Sequence, residues 1–316
     1  MQALYWNGQK LKLNQSYPSP KADDMTALVR VRLAGICSTD LQIFKGYMGF
    51  HGVPGHEFVG EVKEGPEQLV GKRVAGEINF ACGRCEYCGR GRGGHCPDRK
   101  VMGILGADGA FAEFLSIPNS NLHIVPEDVS DEEAVFTEPL AAAFEILEQT
   151  QIDPGDDVLV LGDGRLGFLC AQVLKFTGAH VTVLGKHAKK LSLIHRFSVR
   201  TLLLDDWKPR LFDIVVEATG SDSGFQLALS ATRPRGVLVL KSTIAGVYQI
   251  SLAPLVINEI KVVGSRCGPF PDALMALEEK SVSVTPLIDK VYPLKEGLEA
   301  VKHAAKPGTR KILLRP

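Results

Sequence analysis

Asp157-Val158-Leu159-Val160-Leu161-Gly162-Asp163-Gly164-Arg165-Leu166-Gly167 decides the fold. The apolar run up to Leu161 reads as a buried strand. It breaks into glycines at 162, 164 and 167, and a helix follows through Lys175. A lone G-x-G-x-x-G is a weak signal. Between a strand and a helix it is a strong one, because the glycines let backbone amides and a helix N-terminus meet a pyrophosphate. Further strands read at His180–Leu184, Phe212–Glu217 and Gly236–Leu240, with helices at Lys189–Phe197 and Ser223–Ala231. Strands alternating with helices specify a doubly wound parallel sheet.

The end of the second strand informs on the ligand. Dinucleotide sites usually carry Asp or Glu there, bonded to the adenosine ribose. Here the position is Gly185, followed by Lys186, His187, Lys189 and Lys190. Gly185 removes the carboxylate and leaves room, and the cations suit a 2′-phosphate, with Arg165 able to reach from the glycine loop. Lys186 and Lys190 lie one helical turn apart on one face. NADP(H) is therefore expected in preference to NAD(H). The bland reading is a solvated basic helix start.

Upstream, the text changes. A hairpin around Asn7-Gly8 and strands at Leu28–Leu33, Phe58–Val62, Val70–Val74 and Gly109–Phe114 are expected, with Gly turns between them. Ser130 reads as a helix cap with Glu133 three residues on. Together these indicate a β-rich, barrel-like first domain.

Two metal-type constellations sit in that domain. Cys82, Cys85, Cys88 and Cys96 are spaced C-x2-C-x2-C-x7-C. Four thiolates in one loop make a closed tetrahedral site, the structural kind of zinc site, and their softness favours zinc or an iron–sulfur cluster over magnesium or calcium. A zinc ribbon for nucleic acid is the rival use, and Arg84, Arg90, Arg92, Arg99 and Lys100 make the loop locally basic. The second constellation runs from Gly35-Ile36-Cys37-Ser38-Thr39-Asp40 to Pro54-Gly55-His56-Glu57, with Glu138 far downstream. A catalytic zinc needs about three protein ligands and one open position. Cys37 and His56 supply two; the alternative is a buried thiol and a core histidine that merely lie near each other.

Composition narrows the classes. The chain has 316 residues, 45% hydrophobic and 23% charged, enough for about two domains. Lys+Arg and Asp+Glu both number 36, so no net charge steers it to nucleic acid or an anionic membrane. No apolar run is long enough to span a bilayer, and Met1–Gly8 does not read as a signal peptide. Seven cysteines, four at metal spacing, fit a reducing cytoplasm better than a disulfide framework.

Taken together, these motifs resemble the zinc-dependent medium-chain alcohol dehydrogenases over nearly the whole chain. The elements concerned are Gly35–Asp40, Pro54–Glu57, the four-cysteine lobe, Glu138-Pro139-Leu140, Gly162–Gly167 and Glu217-Ala218-Thr219-Gly220. Glu138-Pro139-Leu140 looks more like the polyol, threonine and sugar dehydrogenase branch. The resemblance implies a GroES-like catalytic domain of residues 1–139 and 268–316, with a Rossmann domain of residues 140–267 inserted. It implies catalytic zinc held by Cys37, His56 and Glu138, with Glu57 near or exchanging, or with Asp40 and Glu57 orienting the imidazole. Thr39 would relay the hydroxyl proton of an alcohol or polyol while the nicotinamide exchanges a hydride with it. Thr219, Gly220, Ser242, Thr243 and Arg266 join Gly162, Gly164, Leu166 and Gly167 as implied cofactor contacts. A homodimer or homotetramer is implied as well.

The sequence also departs from the family. The loop between Cys37 and His56 and the segment around Glu67–Val70 are trimmed. Gln42 stands where some relatives place a relay histidine, so water is expected to complete the proton route. Cys170 and Cys267 fall outside both metal sets and read as packing. Two rivals remain: a zinc-free quinone reductase-like enzyme, and a cofactor-binding protein of the same fold without turnover.

Overall fold

The computed structural model describes residues 1–243 and 250–316. The chain divides into two compact units, Met1–Glu138 with Phe270–Pro316, and Pro139–Pro269.

In the first unit the main sheet runs in the order Leu122–Ile124, Arg73–Gly76, Glu57–Glu64, Thr26–Gly35, Lys311–Arg315, Ile288–Pro293. Phe114–Pro118 also pairs with Thr26–Gly35. That central strand exposes Arg30 and Arg32 and buries Val29, Val31 and Leu33, the alternation of a sheet with one wet face. Its last residue, Gly35, pairs with Glu57 on one side and Leu313 on the other. The N-terminal hairpin forms as expected, Ala3–Trp6 against Leu11–Asn14. The helix Asp131–Ala134 opens with the expected capping box.

One expected strand is displaced. Gly109–Phe114 is strand only at its last residue; the strand is Phe114–Pro118. The backbone amides of Gly109, Ala110 and Phe111 bond instead to the carbonyls of Val53, Gly55 and Pro54. Residues 109–111 therefore clamp the loop that precedes His56, and their apolar text serves packing rather than a ladder.

The second unit is a six-stranded parallel sheet in the order Arg200–Leu203, His180–Gly185, Asp157–Leu161, Phe212–Glu217, Thr232–Leu240, Lys261–Gly264. Arg165–Leu174, Ala188–His195 and Asp222–Ala231 are helices that alternate with its strands. Val158, Leu159, Val160 and Leu161 are buried, and Leu159 and Leu161 share a core with Leu184, Phe212, Val215 and Phe225. The first strand sits in the middle, with the second on one side and Phe212–Glu217 on the other. Such an order reversal opens a crevice at the carboxyl ends of the strands, where ligands of this fold class bind. The Gly162–Gly167 loop lies there.

Candidate functional site

The four lobe cysteines bring their Sγ atoms together within 4.8 Å. Cys85 lies 3.4 Å from Cys88 and 3.7 Å from Cys96, and Cys82 lies 4.0 Å from Cys88. A tetrahedron with Zn–S bonds of ~2.3 Å has edges of roughly 3.8 Å, so these spacings fit a thiolate-bound zinc and exclude a disulfide. The backbone N–H of Arg84, then contacts with Cys96 and Cys85, bring the Cys82 thiol down to about 6 from its ordinary value. That shift favours the thiolate at Cys82, the form zinc requires.

The second cluster is built on the central sheet. Cys37 ends the turn that leaves Thr26–Gly35, and its backbone N–H donates to Asp40 Oδ2 at 2.7 Å. The other oxygen, Asp40 Oδ1, approaches His56 Nδ1 to 3.4 Å without a hydrogen bond. Both side chains are buried. With Nδ1 turned to Asp40, Nε2 is the nitrogen left for a metal, the arrangement that carboxylate–histidine pairs give at metal sites. Burial opposes charge on His56, but the Asp40 carboxylate and Cys37 outweigh it and hold the imidazole well above its ordinary pKa. The same negative surroundings favour a metal cation, which binds the imidazole in place of its proton.

Cys37, His56 and Glu57 offer ligand atoms within 4.8 Å of one another. Thr39 Oγ1 lies 3.7 Å from Cys37 Sγ. Glu138 begins the helix Thr137–Gln149 and is not part of that close group. Glu57 is also engaged by Lys311, whose Nζ donates to Oε2. Sequence reasoning missed Lys311. The available signal was one lysine heading the apolar run Ile312-Leu313-Leu314 of a buried strand.

In the second unit the glycines divide their labour. Gly162 has φ +120°, and a Cβ there would meet the Ala218 carbonyl at 2.8 Å. A Cβ on Gly167 would strike the Gly162 carbonyl, whereas one on Gly164 meets nothing within 4 Å. Two glycines therefore serve packing, and Gly164 leaves the open approach a pyrophosphate needs. Glu217, buried at the end of its strand, accepts from Thr219 N–H at 2.6 Å, Thr219 Oγ1 at 2.5 Å and Gly220 N–H at 3.1 Å. Gly220 N–H also donates to Ser242 Oγ at 2.9 Å. Thr219 and Ser242 thus brace the rim of the crevice. Leu166 is half-buried in the first turn after the loop, Thr243 is exposed, and Arg266 NH1 contacts Cys267 Sγ at 3.4 Å.

The space expected beside Gly185 is filled. A Cβ at 185 would lie 2.5 Å from Asp163 Cβ and 2.6 Å from Asp163 Oδ2. The backbone N–H of His187 donates to Asp163 Oδ2 at 2.6 Å, and its Nδ1 lies 3.0 Å from the same oxygen. His187 is therefore tied to Asp163, while Lys186 and Lys190 make no ion pair among the described residues. Asp163 went unread in the sequence because nothing local says where the second residue of a glycine loop points.

Comparison with known proteins agrees with this geometry. Residues 23–127 match the alcohol dehydrogenase GroES-like domain, and residues 166–279 match the zinc-binding dehydrogenase family. The chain is 31% identical to a sorbitol dehydrogenase of Halalkalibacterium halodurans, covering 96% of this chain and 95% of that protein. Its fold superposes with a TM-score of 0.91 on a zinc-binding dehydrogenase of Sinorhizobium meliloti bound to NADP, at 24% identity and 100% and 99% coverage. The same score and coverage relate it, at 25% identity, to an Escherichia coli alcohol dehydrogenase complexed with NADH.

Proposed function

The chain belongs to the zinc-dependent medium-chain alcohol dehydrogenase family, and from that premise we propose that it transfers a hydride between a small polyol or related alcohol and NADP(H). The observation that carries this is the convergence of Cys37, His56 and Glu57 in the first unit, with the Thr39 hydroxyl beside the thiol. Zinc, when bound there, supplies Lewis acidity toward the substrate oxygen. Cys37 and His56 would hold it. Lys311 already neutralises Glu57, which favours Glu138 as the carboxylate that offsets the metal's second charge. Asp40 orients His56, and the Thr39 hydroxyl takes or returns the substrate's proton, passing it on through water because residue 42 is glutamine. The cysteine lobe is structural. Polyol specificity is supported by the sorbitol and D-arabinitol dehydrogenases among the relatives.

NADP(H) preference rests on Lys186 and Lys190, with Arg165 across the loop. The 2′-phosphate carries close to two negative charges, and two charge-assisted contacts give a preference on the order of a hundredfold or more. A homodimer or homotetramer is the assembly this reading carries, supported by Leu252, Val256, Ile257 and Val262, which are exposed on and before the edge strand Lys261–Gly264. No described helix is long and apolar enough to cross a membrane. The thiolate-rich lobe suits the reducing cytoplasm.

The deciding experiment is steady-state reduction of NADP+ and NAD+ by the zinc-loaded protein against a panel of polyols, simple alcohols and threonine. Turnover of at least one polyol, faster with NADP+, is expected. Absence of turnover with every member and both cofactors would leave a cofactor-binding protein without activity.

A further inference from the structure

Position 185 closes the second strand, where dinucleotide sites of this fold carry the carboxylate that bonds the adenosine ribose. Glycine occupies it, yet a carboxylate is there. Asp163 reaches across from the glycine loop and places Oδ2 2.6 Å from where a residue-185 Cβ would stand. Its side chain is only 9% exposed. The acidic group has moved from the strand end to the second residue of the loop.

That carboxylate is covered. His187 N–H donates to Oδ2 at 2.6 Å, and Nδ1 lies 3.1 Å from Oδ1 and 3.0 Å from Oδ2. A carboxylate only accepts, so Nδ1 carries the proton in this contact. The imidazole is itself 51% exposed, and Asp163 is its one polar partner among the described residues. With the ring in place both acceptor oxygens are engaged, and the cations Lys186 and Lys190 dominate what a ligand meets. With the ring turned to solvent, Oδ2 keeps the His187 backbone N–H, but Oδ1 is free to accept from a ribose hydroxyl and the uncovered carboxylate repels a phosphate.

We infer that Asp163 and His187 form the specificity pair of the adenosine pocket, in which His187 masks Asp163 to admit a 2′-phosphate and unmasks it to favour a 2′-hydroxyl. It rests on the dinucleotide-binding reading of this loop, and makes the NADP preference smaller than the lysines alone would set.

The test uses binding without chemistry. Full-length zinc-loaded protein is titrated calorimetrically with 2′,5′-ADP and with 5′-AMP, the adenosine ends of the two cofactors. Asp163→Asn removes the charge and keeps the hydrogen-bonding shape; it should raise the ratio of 2′,5′-ADP to 5′-AMP affinity by about tenfold. His187→Ala uncovers the carboxylate and should lower the ratio by a similar factor. A ratio unchanged within about twofold in His187→Ala overturns the pair, whatever Asp163→Asn does to the loop, since an exposed ring is not needed for folding. Wild-type protein that binds neither probe refutes the dinucleotide reading itself and is thereby told apart from failure of the pair.

Discussion

Lys311 Nζ donates to Glu57 Oε2 in the interior of the first unit, across 254 residues of sequence. The side chains are 2% and 1% exposed, and the ammonium also lies 5.6 Å from the centre of the Phe136 ring. Two buried charges that satisfy one another hold Glu57 beside Cys37 and His56 while keeping its negative charge spoken for.

Breaking the pair from one side should be costly. Lys311→Met leaves Glu57 buried without its partner, and loss of about 3–5 kcal/mol is expected. Lys311→Met combined with Glu57→Gln should recover most of it, because no lone charge then remains inside. Urea denaturation of the zinc-loaded variants measures both. A single variant that loses under about 1 kcal/mol would show that the two charges are not coupled in the folded protein.

Two ligand groups predict two zinc ions per chain. The closed four-thiolate site should keep its metal longest, and the open site at Cys37 and His56 should empty first under chelation. Elemental analysis through a chelator titration reads this. One zinc in the purified protein, still present in His56→Ala, would leave only the cysteine lobe.

Glu138→Gln should lower turnover by about 10–100-fold while circular dichroism stays unchanged. One thiolate and one carboxylate balance the dication, and an amide does not replace the charge. Unchanged turnover would reduce Glu138 to a favourable acidic residue in the first turn of its helix.

Glu133 offers a pH test of the fold. Burial alone would raise its pKa, but the Ser130 backbone N–H and Lys280 more than offset this and lower it below the ordinary carboxylate value. The folded pKa is depressed, so the stabilisation is present above the unfolded value and disappears as pH falls through the folded one. Glu133→Gln should therefore cost about 1 kcal/mol at neutral pH and nothing in strong acid. A cost independent of pH would assign the effect to shape rather than charge.

The sequence by itself determined everything set by short-range constraint. The lobe cysteines are close because their spacing keeps them in one loop. The glycines of 162–167 could be read because a strand, a turn and a helix follow one another directly. The capping box at Ser130 and Glu133 is local as well. Partners distant along the chain were not legible. Lys311 reaches Glu57 because Gly35 pairs with Glu57 on one edge and Leu313 on the other, a register that only the assembled sheet establishes. Gly185 read as empty space from its identity alone. The structure fills that space with Asp163, because parallel pairing of Asp157–Leu161 with His180–Gly185 sets the two strand ends side by side. A side chain's chemistry is written in the sequence, but the charge it faces is decided by which strands lie next to each other.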